Sequence, residues 1–597
     1  MDVRSCLSSS PLLGQLPAVA LDALTAEAVT VSLRGGDTLF EAGDPTDAVY
    51  LVAVGRLRIA LPHAPVDIAA GDLVGEVGAL TDEARTATAS ALRDTLLLKI
   101  DAEAFRRVLS RHEDAQRALL RMVVARLRGA HSGRSPQQRS AHAVTVLPLT
   151  EDADYAGVAR ALAQSLAAEL RGHVPLLDRQ AVDRDLGPGA AQTRFDAGAA
   201  NARLVSWLQA LEGDTAHLVA AADGVPEPWT LRVARQADRI LLVAGDGPLH
   251  TDTLQALETA ATPAPRELVL CGAKARAAEL MARSGAGFLH HCDPKQPQTL
   301  RRLARQVAGK ATGLVLGGGG ARGFAHIGLL RALEEAKLDI DMIGGTSMGA
   351  FIAALHAQGA SPQAMRDICD DVFVQNNHLN DWVIPRVSLI RGRKFLNKLR
   401  SVLGEGLIED LPIPFYCVST NLTRGQPQVH REGKLASWVG TSMCVPGIAP
   451  PVVYQGELLA DGAVVNSVPV DTMHHMDRGP VIACDVGAPG ELSLPGIKGP
   501  APEALLKARR SKRPQLSDIL MRMTTMTSDL RLEENARHAD LFLRMPVDTV
   551  NMFSWDALDE TIEAGYAHAC KVLEAAANDW PGEEGPPSFQ PPASWTR

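Results

Sequence analysis

Residues 313–349 read GLVLGGGGARGFAHIGLLRALEEAKLDIDMIGGTSMG, and the rest of the chain is organised around them. A short apolar run leads into a glycine-rich turn, then an apolar-periodic helix, a second apolar run and a tight turn tipped by serine. Gly345-Thr346-Ser347-Met348-Gly349 has the G-x-S-x-G form, in which small neighbours let a serine hydroxyl stand exposed on a sharp strand-to-helix turn. Gly317 to Gly320, followed by Ala321-Arg322-Gly323, lies one βα unit upstream and suits a source of backbone N–H donors for an oxyanion.

Three readings compete for the glycine-rich turn. A Walker A loop is excluded, because Phe324 follows Gly323 and no G-x-x-x-x-G-K-[ST] occurs. A dinucleotide fingerprint fits Gly318, Gly320 and Gly323, with Asp339 at about the right distance. In such a site the acidic residue ends the second strand, whereas Asp339 and Asp341 precede MIGG, which runs straight into the serine turn. The third reading, an oxyanion loop beside a nucleophile, uses both turns.

A nucleophilic serine needs a base. Histidines follow at 430, 474, 475, 538 and 568, none in a small-residue turn at a strand end. Asp461 stands at the end of the apolar run GELLA and before Gly462-Ala463. Asp-Gly alone is usually a hairpin turn. Apolar flanks would desolvate its carboxylate and raise a pKa that near 4 makes a poor base.

With glycine-rich loop, G-x-S-x-G and D-G-A in this order, residues 311–580 resemble the patatin-like phospholipases, and more narrowly the neuropathy target esterase branch. RGRKFLNKL, IEDLPIPFYCVSTNL, TSMCVPGIAPPV and DGAVVNSVPVD extend the resemblance. It implies a patatin-like α/β hydrolase domain cleaving acyl esters of lysophospholipids or phospholipids. Ser347 would be the nucleophile and Asp461 its base. The N–H groups of Gly318, Gly319 and Gly320 would form the oxyanion hole, with Arg322, Gly323, Gly345, Gly349 and Gly462 as motif support. No metal or organic cofactor is needed for such catalysis. Arg322 either fixes the loop or meets a lipid phosphate, and His326 is expected to be packed.

Upstream, residues 29–100 are brief β-like runs between glycine and aspartate turns, as in a small β-barrel or jelly roll, followed by DAEAFRRVLSRHE and DAQRALLRMVVARLR with helical spacing. Gly75-Glu76 through Arg85-Thr86 brings a carboxylate and a guanidinium to one short loop. With Gly43-Asp44 and Gly55, residues 10–130 resemble the cyclic-nucleotide-binding domains. The resemblance assigns Glu76 to the ribose 2′-hydroxyl and Arg85 to the cyclic phosphate of cAMP or cGMP, an allosteric ligand. Ala84 departs from a frequent proline, and Thr86 is the type that accompanies cGMP. A ligand-free barrel in which Glu76 and Arg85 form a structural ion pair is the alternative.

Residues 131–142 read as a linker. From 143 to 310, AVTVLPL, VPLLD, AHLVAAADG, RILLVAG and ELVLCG alternate with helical stretches, the pattern of a doubly wound α/β domain. Its first strand is followed by Thr150-Glu151-Asp152-Ala153-Asp154, whose carboxylates would repel phosphate, so the expectation is a spacer without a phosphate loop. His290-His291-Cys292-Asp293 is expected to be a surface loop rather than a metal site.

The 597 residues exceed one core, and length suggests about three or four domains. A net charge of −9 gives no case for nucleic acid, and eight scattered cysteines argue against a disulfide framework. No apolar run reaches the roughly eighteen residues of a membrane span, so the reading is cytoplasmic. Lys507, Arg509, Arg510, Lys512 and Arg513, within 507–513, are either a peripheral contact with anionic membrane or a solvated loop. Residues 581–597 are expected to be a disordered tail. The competing function is a non-enzymatic cyclic-nucleotide receptor, whose degenerate hydrolase fold binds lipid or protein.

Overall fold

The computed structural model describes residues 2–61, 65–112, 116–117, 143–272, 276–376, 378, 380–487, 500–501, 503–507 and 516–579. The linker at 131–142, nearly all of DAQRALLRMVVARLR, residues 508–513 of the basic cluster and the tail at 581–597 lie outside the described residues. The chain divides into two compact units, 1–308 and 309–597. No helix of the described residues is long and apolar enough to cross a membrane.

In the first unit, glycine and aspartate turns break residues 29–101 into β1 (Val29–Leu33), β2 (Thr38–Phe40), β3 (Ala48–Val54), β4 (Arg56–Ala60), β5 (Val66–Ala69), β6 (Leu73–Val74), β7 (Thr88–Ala91) and β8 (Thr95–Asp101). They pair antiparallel as two four-stranded sheets, β1-β8-β3-β6 and β2-β7-β4-β5. The inner faces pack on Tyr50, Val52, Leu57, Ile68 and Leu97, a jelly roll.

The same unit continues with β9 (Ala143–Pro148), β10 (Leu176–Leu177), β11 (Leu218–Ala221), β12 (Arg239–Ala244), β13 (Arg266–Leu270) and β14 (Phe288–His291). All pair parallel, in the order β10-β11-β9-β12-β13-β14. Strands buried on both faces read as continuous apolar runs rather than alternating ones, and the two cores lie on either side of the sheet. His290 and His291 end an edge strand rather than lying on a surface loop, and the His290 ring is buried between Gln306 Oε1 at 2.6 Å and Glu267 Oε2 at 2.7 Å. A buried histidine satisfied on both nitrogens can end a strand, and a dipeptide of histidines does not reveal that.

Jelly roll and parallel sheet are clasped by buried ions. Asp94 accepts from Arg232 Nη1 at 2.6 Å, from Arg235 Nε at 2.6 Å and from Gly35 N at 3.1 Å. Arg93 reaches Asp238 at 2.5 Å and also bonds Glu212. Breaking such a buried cluster from one side leaves uncompensated charge. Asp94→Ala is therefore expected to destabilise this unit by about 3–5 kcal/mol, read as an earlier urea midpoint of the full chain. An unchanged midpoint would mean that the clasp contributes nothing.

The second unit holds β15 (Gly313–Leu316), β16 (Met342–Thr346), β17 (Phe415–Asn421), β18 (Gln426–His430), β19 (Val452–Tyr454), β20 (Glu457–Asp461), β21 (Val481–Asp485) and β22 (Leu541–Arg544). The order is β19-β20-β17-β16-β15-β21-β22, with β18 on β17. The five from β17 to β22 are parallel, and β18, β19 and β20 pair antiparallel. Helices α1 (Ala325–Glu335), α2 (Met348–Ala357) and α4 (Leu558–Asp579) share the core of this sheet, and α3 (Leu516–Arg537) bonds the segment 466–468. α1 and α4 approach backbone to backbone: a Cβ on Gly328 would lie 2.2 Å from Ile562 O, and one on Gly565 2.4 Å from Ala325 O.

Candidate active site

β15 and β16 are parallel neighbours, so the turns that follow them open at the same sheet edge, where ligands of α/β sheets bind. The turn after β16 is the serine elbow. Ser347 has φ 54° and ψ −123°, a backbone that non-glycine residues rarely adopt, and it precedes the first turn of α2. Small residues make this bend fit: a Cβ on Gly345 would lie 2.5 Å from Leu316 O, and one on Gly349 2.1 Å from the same atom.

β20 reaches the site from the other side. Ser419 on β17 pairs with Asp461, and Val418 on β17 pairs with Thr346, so Asp461 is carried to the level of the elbow across one intervening strand. Ser347 Oγ donates to Asp461 Oδ2 at 2.8 Å, and Ala463 N–H donates to Oδ1 at 2.9 Å. Burial pushes the Asp461 carboxyl up to about 6, against the pull of the Ala463 N–H and the Ser347 hydroxyl. Gly462 permits the turn, since a Cβ there would stand 2.2 Å from Val418 O.

The glycine-rich loop brings its parts to different tasks. A Cβ on Gly318 would lie 3.2 Å from Ser347 Cβ, so the glycine lets the loop close on the serine. The Gly318 N–H, however, donates to Ser467 O at 3.1 Å. Gly319 and Gly320 follow, Gly320 at φ 60°, and both line the cavity that contains Ser347. Gly323 accommodates Met348, whose Cγ would be 2.4 Å from an added Cβ. Arg322 Nε donates to Val550 O at 2.9 Å, tying the loop to the segment before α4. His326 is buried, with Nε2 on Gly317 O at 2.8 Å and Nδ1 at 3.3 Å from Cys484 Sγ. Desolvation lowers its pKa to about 4, so it packs as a neutral ring.

Residues that motif reading did not single out hold the elbow in place. Ser347 N–H donates to Ser442 Oγ at 2.9 Å, and Ser442 Oγ donates to Val418 O at 2.6 Å. Thr346 Oγ1 donates to Asn466 O at 3.0 Å, and Asn535 on α3 donates to Asn466 Oδ1 at 2.8 Å. Ser442 and Asn466 lie inside TSMCVPG and DGAVVNSVPVD, so the matching stretches contained the signal without assigning the roles.

Ser347 and Asp461 face a cavity of about 640 Å³. Its wall includes Phe373, Ile390, Phe395, Met443 and Trp555, with Arg391 and Arg393 among the polar lining. No histidine lines it among the described residues, and His430 instead bonds Ser419 Oγ and stacks on Trp438. No cluster of three or more His, Cys, Asp or Glu residues suited to a metal occurs among the described residues.

In the jelly roll, Arg85 Nη1 donates to Gly75 O at 3.1 Å and Nη2 to Ala48 O at 2.7 Å, with Asp47 3.6 Å away. Its guanidinium lies 4.2 Å from the Phe40 ring centroid. Glu76 is buried at the start of the helix Glu76–Thr81, and Thr86 is exposed. In the parallel sheet, Asp154 caps the helix after β9 by accepting from Gly157 N at 2.8 Å, and Asp152 accepts from Asp246 N at 2.9 Å.

A serine elbow and a strand-end aspartate on a mainly parallel sheet are the arrangement of a patatin-like domain. Residues 314–474 match the family model "Patatin-like phospholipase", 30–112 match "Cyclic nucleotide-binding domain", and 140–279 match "Neuropathy Target Esterase family P-loop like domain". An uncharacterized NTE family protein of Mycobacterium tuberculosis is 30% identical over 591 residues, covering 96% of this chain and 97% of that protein. The chain belongs to the neuropathy target esterase (NTE) family. Patatin-like phospholipase domain-containing protein 7 of Rattus norvegicus is 31% identical over 613 residues, 90% of this chain and 45% of its own. Lysophospholipase nte1 of Aspergillus fumigatus is 28% identical over 639 residues, 91% and 42%. The chain thus spans less than half the length of these two.

The Asp461 carboxyl is raised in the folded protein, so its contribution to stability is fully present below the unfolded value near 3.8. It is lost as pH rises through about 6. Asp461→Asn removes that dependence. The variant is expected to be more stable than wild type at pH 7.5, by up to about 3 kcal/mol, with the gain vanishing near pH 4. Melting curves at the two pH values check this, and a gain of equal size at both would contradict it.

Proposed function

We propose that the second unit is a serine esterase that hydrolyses acyl esters of lysophospholipids or phospholipids with Ser347 and Asp461 as a dyad. The observation that carries this reading is the 2.8 Å bond from Ser347 Oγ to a buried carboxylate, made from a strained elbow at the floor of an apolar cavity. Names of the relatives, a patatin-like phospholipase and a lysophospholipase, point to the same substrate class.

In this mechanism Ser347 Oγ attacks the ester carbonyl carbon while Asp461 Oδ2 takes its proton. The carbonyl oxygen becomes an oxyanion held by the N–H groups of Gly319 and Gly320. Gly318 joins them only by giving up its bond to Ser467 O. Collapse expels the glyceryl oxygen, which takes the proton from Asp461 and leaves an acyl-Ser347. Water, deprotonated by Asp461, then releases the fatty acid and restores the serine. A carboxyl near 6 is mostly ionised at pH 7 yet basic enough to accept a proton as the serine oxygen bonds carbon.

We assign regulation to residues 10–130, a spacer to 143–310 and catalysis to 311–580. The P-loop-like domain is read as binding no phosphate, because the Asp154 carboxylate caps the helix start that a phosphate would need, and Asp152 puts a second carboxylate on the adjacent turn after β12. In the jelly roll, cyclic-nucleotide binding requires Arg85 to exchange its carbonyl partners for the phosphate. The basic stretch at 507–513 is a further candidate contact with anionic lipid.

Release of fatty acid from lysophosphatidylcholine tests the dyad. Ser347→Ala and Asp461→Asn are each expected to lower turnover by about 10⁴-fold or more. Wild-type kcat/KM should fall about tenfold per pH unit below about 6. Equal turnover by all three proteins would end the proposal. For the first unit, cAMP or cGMP at a hundredfold excess over Kd should stabilise it by about 2.7 kcal/mol, and Arg85→Ala should abolish the shift. No shift with either nucleotide in wild type would remove regulation by these ligands.

A further inference from the structure

The segment from 380 to 394, NDWVIPRVSLIRGRK, contributes to the cavity wall through Ile390, Arg391, Gly392 and Arg393, yet its tip is not packed on the domain. Trp382 is 67% exposed, Ile384 82%, Val387 71% and Leu389 42%. Four large apolar side chains held in water within eight residues differ from the scattered exposed apolar residues of an ordinary surface, and clusters of this kind mark interaction sites.

The tip is held in place by backbone bonds. Trp382 and Ile390 form an antiparallel bridge, Val383 N donates to Leu389 O at 3.0 Å, and Arg386 N donates to Ile384 O at 2.8 Å. Asp381 fixes the base by accepting from Gly392 N at 3.2 Å and Lys394 N at 3.3 Å. Leu389 N and Ile390 N donate to Gly447 O and Ile448 O at 2.9 and 3.0 Å. Upstream in that same segment, Cys444 O accepts the N–H of Asp461 at 2.8 Å. The hairpin is therefore a rigid extension of the framework that holds the site.

Charge selects the occupant. Arg386, Arg391 and Arg393 are exposed on the hairpin and its base, and none pairs with a carboxylate among the described residues. An apolar tip that includes tryptophan, collared by arginines and leading into an apolar cavity, matches the layering of a phospholipid surface: acyl boundary, headgroup, water. A protein partner would need acidic groups around an apolar pocket, and would not explain why the arginines continue into the cavity wall.

We propose that residues 382–389 are an interfacial hairpin that docks the cavity mouth onto an anionic phospholipid bilayer, with Trp382, Ile384 and Val387 in the headgroup–acyl boundary and Arg386, Arg391 and Arg393 on headgroup phosphates. An acyl chain lifted beside the hairpin then enters along the wall formed by Ile390 and Arg391. The docking itself is independent of the esterase reading, and only the fate of the entering lipid rests on it.

The test uses the full chain carrying Ser347→Ala, so that vesicles are not consumed, and sedimentation with vesicles of phosphatidylcholine alone or mixed with phosphatidylglycerol. Binding is expected to the mixed vesicles. Ile384→Asp with Val387→Asp, at positions exposed enough to leave the fold intact, should weaken it about tenfold or more. Arg386→Gln should weaken it about fivefold on mixed vesicles and leave the phosphatidylcholine result unchanged. In the Ser347 enzyme, the double variant should keep hydrolysis of a soluble short acyl ester and lose that of vesicle-embedded lysophospholipid. Vesicle binding by a protein that hydrolyses nothing would support the docking while removing the esterase reading. Three results overturn the proposal: no binding to mixed vesicles, equal binding by parent and double variant, or a parent dimer that the double variant converts to monomer with vesicle binding unchanged. The last would make the hairpin a contact between copies.

Discussion

The hydrogen bond between Ser347 Oγ and Asp461 is the constraint on which the second unit depends. A carboxylate in an apolar setting resists ionisation, and it stays in place because the fold gives it two donors, the serine hydroxyl and the Ala463 N–H. In the proposed dyad, the same burial that costs stability would make the group a usable base. Much of the surrounding structure serves to keep these atoms together.

That support is spread over distant parts of the sequence. Ser442 ties the elbow N–H to β17, Asn466 bridges Thr346 to α3, and His326 pins the carbonyl that begins the glycine-rich loop. The segment from 444 to 448 holds the Asp461 N–H at one end and the hairpin at the other. Site and hairpin therefore share one backbone framework, anchored at its base rather than at its tip.

Legibility in the sequence followed the range of the interaction. Gly345, Gly349 and Gly462 announce tight turns through their local spacing, although the atoms that exclude a side chain there, Leu316 O and Val418 O, lie on neighbouring strands, and the β15-turn-helix-β16 order could be read directly from 313–349. The parallel sheet of the first unit was likewise visible, because strands buried on both faces are apolar throughout. The edge strand ending in His290-His291 was hidden, since its polar partners Glu267 and Gln306 are supplied by other elements. Asp94 looks like one more turn aspartate until Arg232 and Arg235, some 138 and 141 positions away, close on it. The engagement of the Gly318 N–H with Ser467 could not be read either, because a motif names glycines without saying where each donor points.

The activation of Ser347 by Asp461 is tested most directly by the rate at which a fluorophosphonate labels Ser347 across pH. This reports the nucleophile alone, without substrate binding, membrane contact or deacylation. Wild type is expected to label with a rate that rises through an apparent pKa of about 6 and then levels, whereas Asp461→Asn should label far more slowly and without that inflection. Equal labelling rates in the two proteins, or a wild-type inflection near 4, would contradict a buried carboxylate acting as the base.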